Sequence, residues 1–168
     1  MRPDEQPSGR VLALDVGERR IGLAISDPDG RVAVPLETLE RRDEDADLRA
    51  LAALVEREEV QVVVVGLPLS MDGSVGPQAE RTQEFARRLA EAIAYPVEMW
   101  DERLSTVAAE RALAPQEPPG RRRRHPQRAS EQRRALERRQ GARDALAATL
   151  VLQAYLDSRR RPAASAQR

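Results

Sequence analysis

The sequence has no cysteine and no lysine, so all 28 of its basic residues are arginine. Without cysteine the chain cannot form a disulfide, bind a metal through thiolate or use a cysteine nucleophile. His125 is its one histidine. A metal ion would therefore be held by oxygen ligands or by this single imidazole.

Long hydrophobic runs are also missing. Apolar residues make up 40% of the chain, enough for one globular domain, but no stretch reaches the roughly 18 apolar residues of a membrane-spanning helix. The first ten residues lack the apolar centre of a secretion signal. We expect a cytoplasmic protein without a membrane segment, in which residues 10–158 form the domain and residues 1–9 and 159–168 are disordered tails.

Aromatic residues are scarce, with one Phe, one Trp and two Tyr. All four fall in patterns typical of a hydrophobic core. Proteins that bind unstructured single strands stack bases on exposed aromatic rings. A nucleic-acid-binding chain of this composition is therefore expected to recognise duplex or branched structure by shape.

The zero net charge hides a strong asymmetry. Residues 115–143 contain ten arginines and three glutamates, a net charge of +7, which leaves −7 on the remainder. A basic field on an acidic body is one signature of a phosphate-rich partner, and a solvated arginine-rich loop explains the composition equally well. Because three prolines fall within five residues near its start and apolar residues are almost absent, we interpret about 115–141 as a mobile insertion, in which Ser130 to Gln140 could form a transient helix.

The order of apolar patterns predicts the fold class. Two short runs, RVLALDVG and IGLAISD, and a third run containing Pro35 predict three meandering strands, the third at a sheet edge or ended by the proline. Helical spacing then alternates with an uninterrupted apolar strand, QVVVVG, and a fifth strand, PVEMWDE. The order β-β-β-α-β-α-β-α, insertion, α predicts an α/β protein with a mixed five-stranded sheet and helices on both faces, as in the ribonuclease H-like fold.

Two predicted strands end on acidic residues. Asp15 closes the first strand on a face whose other members are small or apolar, and Gly17 beyond it permits close approach of a ligand or of backbone. The fifth strand ends on Asp101 and Glu102, which point to opposite faces, so only one of them can join Asp15. An acid at a strand end is more often a turn former or a helix cap, and neither position alone indicates a ligand.

The closing helix, ARDALAATLVLQAYLDS, supplies a third acid. Asp144 shares a helical line with Ala147, Ala148 and Val151, so it leads the face expected to pack on the sheet, although an acid there also suits a helix N-terminus. If this helix crosses the ends of strands one and five, three carboxylates converge. They would repel one another unless a cation lay between them, and oxygen ligands without Cys or His favour Mg²⁺ or Mn²⁺.

Four segments in this order, LALDVGERRIGLAISD, VVVVGLPLSMDGSVG, WDERLST and DALAATLVLQAYL, closely resemble the YqgF/RuvX family of bacterial ribonuclease H-like nucleases. The resemblance covers residues 10–158 apart from the insertion, where the family usually has a shorter basic segment. It implies a metal-dependent nuclease that matures the 5′ end of pre-16S ribosomal RNA, with Holliday junction resolution as the alternative. The family's acidic positions fall on Asp15, Glu102 and Asp144, which would be the catalytic residues and the ligands of Mg²⁺ or Mn²⁺.

In a two-metal arrangement Asp15 would bridge the ions, with Glu102 and Asp144 each holding one side. Further residues predicted to bind the substrate are Arg19, Arg20, Ser70, Ser74, Arg103 and Arg143. The serines belong to a loop leading to the predicted helix at Pro77, whose amides offer a phosphate seat, although an ordinary capping loop has the same pattern. Arg103 could instead form an ion pair with Asp101.

Three other readings stay open at this stage. ATP phosphotransferases of the actin-like and sugar kinase group share the strand order, but they need two domains, for which 168 residues leave no room. A nucleic-acid-binding module without catalysis could retain the same acids. A junction resolvase makes paired cuts, which favours a dimer. We expect nucleic acid as the partner, no membrane, and a monomer or homodimer.

Overall fold

The computed structural model describes residues 9–105 and 126–160. The elements in chain order are β1 (Arg10–Val16), β2 (Arg20–Ser26), β3 (Ala33–Glu40), α1 (Glu44–Arg57), β4 (Val60–Leu67), α2 (Pro77–Ala92), β5 (Val97–Asp101), a 3-10 helix (Glu102–Leu104) and α3 (Pro126–Arg160). Most of the helix predicted between the fifth strand and the insertion, the first part of the insertion and most of both predicted tails lie outside the described residues.

The five strands form one mixed sheet in the order β3-β2-β1-β4-β5. β1 pairs with β2 antiparallel and with β4 parallel, and β4 pairs with β5 parallel. Pro35 lies in β3, which pairs with β2 and is an edge strand of the sheet that the described residues form. An edge strand tolerates proline because one of its sides makes no ladder hydrogen bonds. The predicted five-stranded mixed sheet is confirmed.

Helices cover both faces of the sheet, also as predicted. Leu12 and Leu14 of β1 face the core formed with α1 and α2, and Val11 and Ala13 face the core formed with α3. This alternation follows from the two-residue period of a strand. Asp15 comes next in the series and thus belongs to the face that α3 covers.

The helices begin where the sequence provides caps. The carboxylate of Asp43 accepts a hydrogen bond from the amide of Ala46 and so caps α1, and Pro77 opens α2, where a missing N–H costs nothing. None of the helices within 9–105 and 126–160 is long and apolar enough to cross a bilayer.

Residues 126–141, which we assigned to the insertion, are part of α3. The mobility of this segment stays a prediction. Pro126 occupies the first position of this helix, and no proline or glycine follows before Gly141. Arginine, glutamine, glutamate and alanine are good helix formers. The low apolar content that suggested disorder therefore coexists with high helical propensity.

α3 runs the length of the sheet. The hydroxyl of Thr38 donates to the carbonyl of Gly141 at 2.7 Å, at the end of the sheet where β1 ends. The side chain of Gln153 accepts from the amide of Ala33 at the opposite end of β3. Gln140 contacts Arg20, the first residue of β2, so residues 126–139 continue past the end of the sheet. We call residues 126–143 the arm.

Candidate active site

Asp15 lies at the end of the central strand between two glycines. It is 8% exposed and pairs across the sheet with Gly22 of β2. On its other side β1 and β4 are in register as far as Leu14 and Val65, so Gly66 is the next residue of β4. Glycine on each neighbouring strand leaves open space on both sides of the Asp15 carboxylate.

Asp144 approaches through the space above Gly22. A Cβ atom built on Gly22 would lie 2.0 Å from the Asp144 carbonyl oxygen, so only glycine lets α3 pass this close to the sheet. The contact places the first turn of the packed part of α3 directly beside the Asp15 position. The close crossing predicted for this helix is thus present, with backbone rather than a side chain as the point of contact.

Glu102 approaches through the space above Gly66. A Cβ atom on Gly66 would lie 2.7 Å from Oε1 of Glu102, and the glutamate is 5% exposed. The chain leaves β5 here and turns into the 3-10 helix, whose first residue is Glu102. Asp15 therefore lies between the positions of Glu102 and Asp144 on one face of the sheet.

Asp101 points elsewhere, as the alternation predicted. Its carboxylate accepts hydrogen bonds from Nε and a terminal nitrogen of Arg103, the shortest at 2.6 Å. The Arg103 guanidinium holds the pKa of this carboxyl below its usual value. Arg103 also reaches the carbonyl of Met71 at 3.5 Å. These contacts are those expected of a structural partner of Asp101. Substrate binding by Arg103 stays a prediction.

A cavity of about 270 Å³ opens beside the acids and is lined by Asp15 and Asp144 together with Arg20 and Gln78. Arg20 donates from Nε to Oδ2 of Asp144 at 2.7 Å and from a terminal nitrogen to the side chain of Gln140 at 3.1 Å. The guanidinium thus ties the end of β2 to α3. Its predicted role in substrate binding stays a prediction.

Gln78 is a residue that the sequence argument did not identify. Its side-chain amide donates to the carbonyl of Val16, directly after Asp15, at 3.1 Å. This bond fixes the first turn of α2 to the end of β1. No local sequence pattern marks Gln78. Gly22 and Gly66 could have been identified from the sequence, because glycine inside a strand often indicates close approach of another backbone or ligand.

The donor set suits a hard divalent cation. Asp15 and Glu102 are buried carboxylates on one sheet face, and Asp15 and Asp144 share a cavity wall. Within residues 9–105 and 126–160, no three acidic or histidine side chains stand close enough to hold one ion. Mg²⁺ commonly uses only one or two protein carboxylates, with water and substrate phosphate completing its shell. The arrangement therefore fits two carboxylate pairs, Asp15 with Glu102 and Asp15 with Asp144, better than three carboxylates around a single ion.

The loop of Ser70 and Ser74 bonds mainly to itself. The amide of Ser74 donates to the carboxylate of Asp72 at 2.9 Å, and the amide of Ser70 donates to the carbonyl of Ser74 at 3.0 Å. Hydrogen bonds from Ser74 hold the pKa of Asp72 below its usual value. These groups are already engaged within the loop, so the phosphate seat predicted for Ser70 and Ser74 stays a prediction.

The remaining predicted cations are exposed. Arg19 is exposed in the turn between β1 and β2, and Arg143 is exposed on α3 next to Asp144. Two apolar side chains are also exposed. Met71, in the loop between β4 and α2, is 84% exposed, and Leu104, in the 3-10 helix, is 67% exposed.

The RuvX family, described as Holliday junction resolvase, matches residues 9–158. Relatives that are pre-16S rRNA nucleases by name include one from Koribacter versatilis, 41% identical over 95% of this chain and 94% of the relative. Another, from Crocosphaera subtropica, is 44% identical over 89% and 94%. RuvC of T. thermophilus, solved in complex with a Holliday junction substrate, superimposes with a TM-score of 0.52 at 13% identity, covering 89% of this chain and 96% of RuvC. At that identity the superposition shows the fold, which is ribonuclease H-like.

Proposed function

The chain belongs to the RuvX family, and from that premise we propose that it is a nuclease that processes the 5′ end of pre-16S ribosomal RNA at Asp15, Glu102 and Asp144. The observation that carries the proposal is the position of Asp15 between Gly22 and Gly66, with Asp144 and Glu102 in the spaces that these glycines leave. The names of the relatives support ribosomal RNA as the substrate.

Mg²⁺ or Mn²⁺ held by Asp15 with Glu102 and by Asp15 with Asp144 would supply Lewis-acid activation of water and charge stabilisation at the leaving oxygen. The protein's own contribution is positional. The hydrogen bond from Gln78 to Val16 fixes the end of β1, and the Arg20–Asp144 pair fixes α3 beside it. These contacts hold the carboxylates on a rigid sheet, which limits reorganisation when a charged phosphate arrives.

Holliday junction resolution is the second candidate, because the family is described by that activity. Paired cuts across a four-way junction require two active sites in one assembly. A monomer or homodimer, a cytoplasmic location and the domain bounds of 10–158 stay predictions.

The test compares wild type with Asp15→Asn, using a pre-16S 5′ leader RNA and a four-way DNA junction, each with Mg²⁺, Mn²⁺ or EDTA. Asp29→Asn, an exposed turn residue, is the matched control. We expect metal-dependent cleavage of the RNA by wild type and the control, and a loss of at least about a hundredfold in Asp15→Asn.

A second readout is the thermal unfolding midpoint with and without Mn²⁺. Binding of the ion to the folded state raises the midpoint of wild type and of Asp29→Asn but not that of Asp15→Asn. Cleavage of the junction in place of the RNA would select the second candidate. Cleavage by Asp15→Asn at the wild-type rate would contradict the proposed site.

A further inference from the structure

Arginines outside the arm are mostly neutralised by carboxylates. Of fourteen such arginines in the described residues, ten form ion pairs within 4 Å: Arg10, Arg20, Arg41, Arg57, Arg81, Arg87, Arg88, Arg103, Arg159 and Arg160. For most of the protein body, the bias towards arginine thus has a structural explanation in ion pairing.

The arm is different. Its described side chains include Arg134, Arg138, Arg139 and Arg143, all exposed. Among the residues whose side chains are described, 9–105 and 134–160, no carboxylate lies within ion-pair distance of any of the four. The ion pairing that explains the other arginines does not explain these.

The arm also has two distinct sides. Leu136, Glu137 and Gln140 line a cavity together with Arg19 and Arg20 of the β1–β2 turn, so this side is turned towards the protein body. At about 100° per residue, Arg134, Arg138 and Arg139 lie on the other side of the helix, and Arg143 lies at the edge between the two sides. Among the described side chains of residues 134–143, the side turned away from the body therefore carries three arginines and no acidic residue.

This basic side ends at the candidate active site. Arg143 immediately precedes Asp144, and Arg134 lies about 14 Å further along the helix axis at 1.5 Å per residue. A nucleic acid strand whose reacting phosphate lies at Asp144 has several further phosphates within that distance. The spacing suits a backbone, which presents regularly repeated charges, better than a single small anion.

We propose that Arg134, Arg138, Arg139 and Arg143 form a surface that binds the sugar-phosphate backbone of the nucleic acid substrate next to the cleavage site. This inference rests on the proposed nuclease function and extends it, since the arm sets affinity while the carboxylates perform the chemistry. Arginine contacts to phosphate carry no sequence information, so the arm holds the substrate in place without selecting bases.

The test measures binding of the 5′ leader RNA by fluorescence anisotropy in EDTA over a range of salt concentrations. One variant carries Arg134→Gln with Arg138→Gln. The control carries Arg42→Gln with Arg49→Gln, two exposed arginines in or next to α1, which covers the opposite face of the sheet. Both variants lose the same charge from side chains that lack a carboxylate partner among the described residues.

We expect the arm variant to bind at least about tenfold more weakly at low salt, with a log-log salt slope shallower by about 1.5 to 2. The control keeps the wild-type slope. Equal effects in the two variants would overturn the arm proposal, because net charge alone would then explain binding.

The two proposals fail in different ways. Salt-sensitive binding that depends on the arm, without cleavage by wild type, would overturn the proposed function and leave the arm in place. Cleavage that depends on Asp15, together with RNA binding that the arm variant leaves unchanged, would overturn the arm proposal and leave the proposed function in place. Thermal unfolding of both double variants checks that the fold is intact, which we expect because all four substituted side chains are exposed.

Discussion

At the scale of single residues, the two glycines beside Asp15 differ in what they accommodate. Gly22 faces backbone, with the carbonyl carbon of Asp144 2.3 Å from a built Cβ. Gly66 faces the carboxylate of Glu102, the far end of a flexible side chain. A side chain that rotates away costs much less than a helix that must move. The same substitution should therefore have different consequences at the two positions.

Gly22→Ala is expected to lower the free energy of unfolding by about 1–3 kcal/mol, because α3 must shift away from the sheet. Gly66→Ala is expected to keep nearly the wild-type stability but to lose cleavage activity, because the added methyl displaces the Glu102 carboxylate. Urea denaturation and RNA cleavage measure the two effects separately.

Gly76→Ala is the control for both, since a Cβ there meets nothing within 4 Å and the residue has no positive φ. It should leave activity unchanged and lower stability by no more than about 1 kcal/mol, because Gly76 is the N-cap of α2, where alanine is less favourable than glycine. Full activity in Gly66→Ala would show that the glutamate does not need the position above Gly66.

At the scale of elements, Arg103 joins the 3-10 helix to the loop between β4 and α2. Its guanidinium bonds Asp101, reaches the Met71 carbonyl and lies 3.1 Å from a built Cβ on Gly73. Gly73 has a φ of +86°, so glycine suits the backbone of this turn as well as the space beside it. One cation thus holds two loops that border the candidate site.

Arg103→Ala is expected to loosen this loop without unfolding the sheet. Hydrogen exchange at residues 70–74 should become faster, whereas exchange in β1 and β4 should stay at the wild-type rate. Arg87→Ala, which removes two exposed ion pairs within α2, is the comparison. Unchanged exchange at residues 70–74 would mean that the loop's internal hydrogen bonds suffice to order it.

The attachment of α3 to β5 depends on Tyr155. Its hydroxyl donates to Glu98 at 2.9 Å, and its ring packs edge-on against Trp100. Burial, with the hydrogen bond and charge of Glu98, raises the pKa of Tyr155 to about 12. In the unfolded chain tyrosine ionises near pH 10. Between about pH 10 and 12 the unfolded state loses a proton that the folded state keeps, so stability falls as pH rises through this window.

Tyr155→Phe should remove that part of the pH dependence. Urea denaturation at about pH 9 and about pH 11 measures it. We expect the difference in unfolding free energy between the two pH values to be smaller in Tyr155→Phe than in wild type, with Tyr95→Phe as the comparison. The same difference in Tyr155→Phe and wild type would contradict the assignment.

At the scale of the whole molecule, the sheet and its helices could be predicted because their signals are local. Alternation in RVLALDVG and helical spacing before QVVVVG act over a few residues, and the predicted strand ends agree with the structure to within two residues. The same alternation separated Glu102 from Asp101. In the arm, a helix was only the alternative to a mobile insertion, because low apolar content was weighed above helical propensity.

The contacts that shape the site carry no local signal. Arg20 and Asp144 are 124 residues apart in sequence, and Gln78 bonds a strand 62 residues before it. Such pairs arise only after the sheet has brought distant segments together. The sequence therefore indicated which acids to consider, but not which side chains orient them.

Because α3 is one continuous helix, a movement of one end changes the orientation of the other. Asp144 lies near the point where the helix meets the sheet, and Pro126 lies about 27 Å away along the axis at 1.5 Å per residue. If α3 tilted by about 5° around the point where it meets the sheet, Pro126 would move by about 2 Å and the Asp144 carboxylate would turn by the same angle. Force applied by a bound strand to the distal end would thereby be transmitted to the reaction centre as a small rotation.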